Sequence, residues 1–177
     1  MIKKLLGLIF FLCAIVLNAQ VKDASYYKAK GYQVFSKYGF VIKAPITLKS
    51  APNSADGNFE INIGGILNEN IPSRFVFYQL IIKRFPVGYV HFSPQGKQNF
   101  REQALKQGAQ NLVNVKRVKV GYMGYDGIVG ETTHNGYKQK GEVFIKDEYV
   151  FALTVITNDD LESKFNQFTN NLIFLQQ

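Results

Sequence analysis

The chain has 177 residues, of which 14% are aromatic, and a formal net charge of +8 at neutral pH. This length predicts a single domain with enough chain to bury a core. The single cysteine, Cys13, excludes a disulfide within the chain, so core packing rather than cross-linking has to stabilise the fold.

The first residues have the layout of a secretory signal peptide. Lys3 and Lys4 precede an apolar run over residues 5–17. That run is shorter than the roughly 20 residues that a membrane-spanning helix needs. The small residue Ala19 before Gln20 predicts cleavage between these two positions. We therefore expect export to the periplasm or the extracellular space.

A lipoprotein signal with Cys13 as the lipidated residue is the weaker alternative. A lipidation site has small residues just before the cysteine, whereas Phe11 and Leu12 stand there. The predicted organisation is a signal peptide at 1–19, an N-terminal tether at 20–31, and one domain at 32–177.

Positive charge is concentrated in the first part of the chain. Residues 20–125 carry 15 lysines and arginines against 5 acidic residues, whereas residues 126–177 carry 4 against 8. Such asymmetry indicates an anionic partner, which for an exported protein means lipid headgroups or lipopolysaccharide rather than nucleic acid. The candidate contacts are the clustered Lys116, Arg117 and Lys119. A dispersed, solvated basic surface is the favoured alternative.

The first half of the chain predicts strands and loops. Residues 32–45 are rich in Tyr, Phe and Val and predict a strand that stops at Pro45, and residues 45–58 predict a loop. In residues 58–65, apolar and polar side chains alternate, which predicts a strand with one solvent-exposed face. Residues 73–83 are apolar on both sides and predict a more central strand.

An aromatic segment and a helix follow. Residues 85–94 place aromatic residues between two prolines, which indicates a pocket rim or, as the favoured alternative, a packed crossover loop. Residues 96–112 have apolar residues at helical spacing, and Gly108 is well placed to end that helix. In the strand-like sequence that follows, Val113 and Val115 alternate on one face, whereas Val118 and Val120 alternate on the other. This change of face predicts a bulge near Lys116-Arg117.

The last part of the chain predicts a β-meander and a second helix. Residues 127–134, 137–146 and 149–157 predict three strands, and Asn135-Gly136 between the first two is a strong hairpin signal. The third strand is apolar on both sides, so we expect both faces of the sheet to be covered. The final helix is expected to begin at a capping Asp159 and to run through the terminal sequence LIFL.

Glycine recurs at every third position from Gly121 to Gly130. A phosphate-binding loop needs such glycines between a strand and a helix, but strand-like sequence stands on both sides here. We therefore interpret Gly121, Gly124 and Gly127 as a turn between strands, where glycine admits positive φ or close approach.

The Gly-rich turn, the three following strands and the final helix resemble the PsbP-like superfamily, which includes DcrB-like bacterial envelope proteins. The resemblance covers residues 95–175. It implies an α+β fold in which helices flank both faces of an antiparallel β-sheet, as an α/β/α sandwich. It also implies a binding or assembly role without catalysis, since members mostly attach to larger complexes.

Residues with catalytic or metal-binding chemistry are sparse. The two histidines, His91 and His134, are far apart in the sequence, and no metal or cofactor motif is present. Asp126, Glu131 and His134 are the residues on which a small envelope hydrolase would have to depend.

The sequence predicts an exported, non-catalytic accessory or assembly protein of the bacterial cell envelope, without a cofactor. An envelope hydrolase with an unrecognised site, and adhesion to anionic lipid or polysaccharide through a basic surface, are the alternatives.

Overall fold

A computed structural model describes residues 23–50, 60–68, 75–121 and 124–175. The predicted signal peptide, with Ala19 and Gln20, lies outside these residues. The chain divides into two units, one of residues 1–41 with 174–177 and the other of residues 42–173. Each unit is described by itself.

In the first unit, a short helix precedes two short strands. Helix α1 (Ala24–Ala29) lies within the predicted tether, and the Asp23 carboxylate caps it by accepting a hydrogen bond from the Tyr26 amide at 2.9 Å. Strand β1 (Gln33–Phe35) and strand β2 (Phe40–Ile42) are separated by a 3-10 turn. The prediction of one continuous strand over 32–45 is therefore wrong, because Gly39 turns the chain at a φ of +64°.

The second unit contains a seven-stranded, wholly antiparallel sheet with the order β3-β4-β5-β9-β8-β7-β6. Its strands are β3 (Lys49–Ser50), β4 (Ile61–Asn68), β5 (Phe75–Arg84), β6 (Val113–Val120), β7 (Tyr125–His134), β8 (Tyr137–Lys146) and β9 (Tyr149–Thr157). A 3-10 helix (Val87–His91), helix α2 (Pro94–Gly108) and helix α3 (Leu161–Thr169) complete it. The predicted α+β class with antiparallel sheets is confirmed.

Two tight turns join the last three strands. Asn135 and Gly136 have φ angles of +51° and +80°, as a type I′ hairpin turn requires. The next turn contains Asp147 at a φ of +54°. The local sequence thus sets the register of the β7–β8 hairpin.

One face of the seven-stranded sheet, which we call the Leu153 face, is deeply buried. Its side chains alternate along β5 and β9 with those of the opposite face, and they include Tyr78, Leu80 and Leu153, each with no exposed surface. Phe168 of α3 contacts Tyr78 with ring centroids 5.2 Å apart.

The opposite face, which we call the Ala152 face, is only partly covered. Leu105 of α2 packs in a cluster with Val143 and Ile145, and a Cβ added at Gly108 would lie 2.6 Å from a methyl group of Val143. Elsewhere on this face side chains are half-buried, and Ile66 is 60% exposed. The expectation that helices cover both faces is therefore not confirmed for this face.

Three local predictions need correction. Asp160 rather than Asp159 caps α3, since its carboxylate accepts from the Ser163 amide at 3.1 Å. The residues Leu172–Phe174 form strand β10, which joins a three-stranded sheet of order β1-β2-β10, because the preceding asparagines end the helix. The bulge falls between Val113 and Lys116, where Asn114 has a φ of +52°.

No helix among the described residues combines the length and the apolar character needed to span a membrane.

Candidate functional site

A cleft of about 600 Å³ opens beside α2 at one end of the Ala152 face. Its apolar lining includes Leu105 and Ile145, both buried. Its polar lining comes from α2, β6 and β7 and consists of Lys97, Gln98, Arg101, Glu102, Arg117 and Asp126. Charged groups of both signs therefore surround a small apolar surface.

Local periodicity explains why these side chains meet. Lys97 and Arg101 are four residues apart on α2, so they share one side of the helix. Arg117 and Lys119 are two residues apart on β6, so they share one face of the sheet. Asp126 lies directly opposite Lys119 in the β6–β7 pairing. Helical and strand spacing thus bring one set of charges together.

Three basic groups in or beside the cleft have a defined polar partner. Arg117 forms an ion pair with Glu102, and Lys119 Nζ lies 2.5 Å from Asp126 Oδ1. Arg101 Nη1 donates to the backbone oxygen of Asp147 at 3.1 Å. These contacts hold the three cations in place on exposed surface, so an incoming anion meets groups that are already positioned.

The electrostatic field of the cleft is positive. The pKa of Asp126 is lowered, first by its hydrogen bond from Lys119 and further by the charges of Lys119, Arg101 and Arg117, against a small opposing effect of desolvation. Among the lining residues, Lys97, Arg101 and Arg117 stand against Glu102 and Asp126. Lys119, the ion-pair partner of Asp126, adds a fourth positive charge beside the cleft. A phosphate or carboxylate suits this arrangement, because guanidinium groups bind such anions with two parallel hydrogen bonds.

The predicted basic cluster is divided between the two faces. Arg117 and Lys119 lie at the cleft, whereas Lys116 pairs across the sheet with Val129 on the Leu153 face. Lys97 and Arg101 were not predicted as site residues, although their spacing within the predicted helix places them on one side of it.

The predicted turn residues lie at two hairpin ends and in one strand. Gly121 and Gly124, with φ angles of +66° and +65°, stand at the connection between β6 and β7, whereas Gly127 lies within β7. A Cβ at Gly127 would approach the Val143 backbone oxygen to 2.9 Å. Asn135 and Gly136 form the β7–β8 turn at the other end of β7. These glycines lie in strand-to-strand connections or in a strand.

The structure does not bring together Asp126, Glu131 and His134. Asp126 and His134 lie at opposite ends of β7, eight residues apart, which corresponds to roughly 26 Å of strand. Glu131 points to the Leu153 face, where its carboxylate lies 3.0 Å from Lys140 Nζ. Within the described ranges, no group of three or more His, Cys, Asp and Glu side chains could hold a metal ion.

One further titratable residue lies on the Leu153 face. Burial raises the pKa of Glu142 from 4.5 to about 7, against an opposing effect of the Lys140 charge. Its partners across the sheet are Val129 and Leu153, which offer no polar group. A raised carboxyl pKa is found at functional sites and also at buried structural positions. The apolar neighbours of Glu142 favour the structural explanation.

No protein-family model and no curated protein matches the chain. Among solved structures, it is similar to cyanobacterial PsbP (CyanoP) from Synechocystis sp. PCC 6803, with 11% identity, a TM-score of 0.49, and coverage of 81% of this chain and 91% of that one. This chain is similar in structure to PsbP. The predicted resemblance is thus confirmed, at weak sequence identity.

Two other solved structures are similar. LpqN of Mycobacterium tuberculosis, described as involved in cell envelope biogenesis, has 16% identity and a TM-score of 0.38, with coverage of 77% of this chain and 83% of that one. A protein from Bacteroides thetaiotaomicron VPI-5482 has 10% identity and a TM-score of 0.42. The match covers 78% of this chain but only 46% of that longer protein.

Proposed function

We propose that this protein is an exported, non-catalytic accessory protein of the bacterial cell envelope, and that it binds its partner through an anionic group held in the cleft beside α2. The observation that carries the proposal is the surplus of positive charge at that cleft, where three lining cations and Lys119, the partner of Asp126, stand against two carboxylates. Export rests on the signal-like pattern of residues 1–19.

The same proposal includes a sandwich architecture, with one helix on each face of the seven-stranded sheet. It is supported by the packing of Leu105 against Val143 and Ile145 on the Ala152 face. It is also supported by the contact of Phe168 with Tyr78 on the Leu153 face. In this arrangement α2 presents one side to the sheet and leaves its neighbouring side to line the cleft.

Binding rather than catalysis is supported by the distribution of reactive groups. Asp126, Glu131 and His134 lie on different faces or at different ends of β7, so they provide no base, nucleophile and orienting group at hydrogen-bonding distance. The cleft itself holds arginines, lysines and carboxylates that are already paired.

The geometry suggests how an anion enters. The Arg117 side chain is paired with Glu102 but remains about half exposed, so part of it is open to solvent. A phosphate or carboxylate placed between Arg101 and Arg117 gains charge-assisted hydrogen bonds from both groups. Leu105 and Ile145 provide an apolar surface for the atoms that carry the anion.

Site-specific photo-crosslinking in intact cells tests this function. A photo-crosslinking residue at Gln98, which lines the cleft, is expected to capture one envelope component repeatedly. The matched control is the same replacement at Gln103, an exposed glutamine on another side of α2, which should not capture that component. Replacing Arg101 and Arg117 by glutamine should abolish the Gln98 product.

Equal capture from Gln98 and Gln103, or a Gln98 product that the two arginine substitutions leave unchanged, would contradict the proposal. Export is tested separately by the mass of the protein recovered from the envelope fraction. Cleavage between Ala19 and Gln20 predicts loss of the first 19 residues.

A further inference from the structure

The segment that joins β5 to α2 exposes apolar side chains on one short turn. Val87 is 89% exposed, Val90 is 53% exposed and Phe92 is 40% exposed. A 3-10 helix has three residues per turn, so Val87 and Val90 project from the same side of the Val87–His91 helix. We call Val87, Val90 and Phe92 the apolar knob.

A cluster of aromatic rings fixes the knob in position. Tyr89 is buried, and its ring centroid lies 4.6 Å from that of Phe85 and 5.5 Å from that of Phe100. Phe92 contacts the same cluster, with its ring centroid 5.7 Å from that of Tyr89. The valines therefore project from a well-packed base. This segment was predicted as a packed crossover loop, and the aromatic contacts account for the packing but leave the valines exposed.

Basic residues flank the apolar knob along the chain. Lys83 and Arg84, both exposed, precede it at the end of β5, and Lys97 follows it on α2. Lys97 also joins the knob to the basic cleft, because its Nζ lies 5.7 Å from the Tyr89 ring centroid and its side chain lines the cleft.

Acidic residues reduce this charge only in part. Glu148 pairs with Arg84 at 3.2 Å, and Asp147 pairs with Lys146 at 2.5 Å. Arg101 donates to the backbone of Asp147 and not to its carboxylate. Lys83, Lys97 and Arg101 therefore leave a positive surplus beside the knob.

We infer that the apolar knob inserts into the interface of an anionic membrane while the neighbouring cations bind lipid headgroups. This inference rests on the proposed function. The anionic group that the cleft binds is then the headgroup of a phospholipid. Three side chains are far fewer than the roughly 20–30 residues that each partner contributes to a stable protein interface. A small apolar insertion combined with several cations is sufficient for reversible binding at a bilayer surface.

The absence of tryptophan from the whole sequence allows a direct test. Val87→Trp places a single fluorophore on the knob of the protein purified from the envelope fraction. Vesicles of equal parts phosphatidylglycerol and phosphatidylethanolamine should shift its emission to the blue, because the indole moves from water into the interface. The matched control, Val113→Trp, replaces an exposed valine on β6, and it should show no shift.

Cosedimentation with the same vesicles measures affinity. Combined Val87→Asp and Val90→Asp should weaken binding by about tenfold or more, and Val87→Ser with Val90→Ser should weaken it without added charge. Ile66→Asp with Val113→Asp adds the same charge at exposed apolar positions elsewhere and should leave binding nearly unchanged. Raising the salt concentration should weaken binding of the wild-type protein.

Three results would overturn the inference. Equal loss from the knob pair and the control pair would show attraction by charge alone. A blue shift for both tryptophan variants would show non-specific adsorption. Failure of the wild-type protein to bind these vesicles, together with arginine-dependent crosslinking at Gln98, would overturn membrane insertion while leaving the proposed function intact. Loss of both signals would overturn both proposals.

Discussion

The two faces of the seven-stranded sheet differ in burial and in chemistry. On β9, Phe151, Leu153 and Val155 are fully or almost fully buried, whereas the alternating Ala152 and Thr154 are only half-buried. The Leu153 face therefore provides most of the apolar burial that stabilises the unit. The Ala152 face, which is less completely covered, carries the cleft and leaves charged side chains exposed.

The ionisable groups follow the same division. On the Leu153 face, Lys140 lies between Glu131 and Glu162 and its ammonium group is 5.3 Å from the Phe165 ring centroid, so the charges connect α3 to the sheet. At the cleft, Arg117 and Lys119 remain at least half exposed despite their acidic partners. The charged groups on the Leu153 face therefore hold α3 to the sheet, whereas those on the Ala152 face remain accessible from solvent.

The largest expected difference between the faces is in stability. Phe168→Ala removes a ring with no exposed surface and should lower the free energy of unfolding by about 3–5 kcal/mol. Phe100→Ala removes a half-buried ring of α2 that packs on Phe85 and Tyr89, and it should cost roughly 1–3 kcal/mol. Urea denaturation measures both free energies of unfolding. An equal or larger decrease for Phe100→Ala would contradict the claim that the Leu153 face contributes more to stability.

The next prediction concerns pH and Glu142. Because burial raises its folded-state pKa from 4.5 to about 7, the folded protein holds more protons than the unfolded chain between these values. The contribution of Glu142 to stability is therefore complete below pH 4.5 and is lost as the pH rises through 7. Glu142→Gln should remove this loss and stabilise the protein at pH 8 by an amount on the order of 3 kcal/mol.

Glu131→Gln is the matched control for Glu142→Gln on the same face. Its pKa is lowered, chiefly by the hydrogen bond from Lys140, so its contribution is present at neutral pH and is lost on acidification. Urea titrations between pH 4 and pH 8 should therefore show opposite slopes for the two changes. If the wild-type protein and Glu142→Gln had the same free energy of unfolding at every pH, the buried-carboxylate explanation would be refuted.

A smaller effect is expected from close strand packing. Gly127→Ala adds a methyl group 2.8 Å from Val120 Cγ2 and 2.9 Å from the Val143 oxygen, which should cost about 1–3 kcal/mol. Gly88→Ala, on the turn that carries the apolar knob, meets nothing within 4 Å and should remain within about 1 kcal/mol of wild type. Thermal unfolding distinguishes them, and equal melting temperatures would show that β7 can shift to admit the methyl group.

The smallest effect on stability is expected at the cleft. Asp126→Asn removes an exposed ion pair and should change the free energy of unfolding by less than about 1 kcal/mol. It should nevertheless tighten binding of inorganic phosphate, because Lys119 loses its intramolecular competitor. Phosphate titration followed by NMR provides the measurement, and unchanged affinity would show that Lys119 takes no part in anion binding.

The β-meander at the end of the chain was predictable because local signals agree with each other. Alternating apolar residues define β8 and β9, and Asn135-Gly136 favours a tight turn of the observed type. The break between β1 and β2 was not predicted, because the Tyr- and Phe-rich sequence on both sides of Gly39 favours a strand. The terminal LIFL was assigned to a helix because helical spacing continued past Asn170 and Asn171, which end α3.

The candidate site was predictable only in part. Arg117 and Lys119 were recognised from their clustering in the sequence, but Lys97 and Arg101 come from a separate element. Their approach depends on how closely α2 packs on the sheet, which Gly108 permits through its contact with Val143. The spacing of residues within one helix or strand does not predict how closely α2 approaches the sheet.

The strand order also has a consequence for how the chain folds. Strands β6 to β9 pair in sequence through hairpins, but β5 pairs with β9, and Thr157 Oγ1 bonds to the Phe75 oxygen across 82 residues of chain. Closing so long a loop is slow compared with hairpin formation, so the pairing of β5 with β9 is expected to form last. Until it does, two unpaired strand edges are open to other chains, and a newly synthesised molecule is then most vulnerable to aggregation.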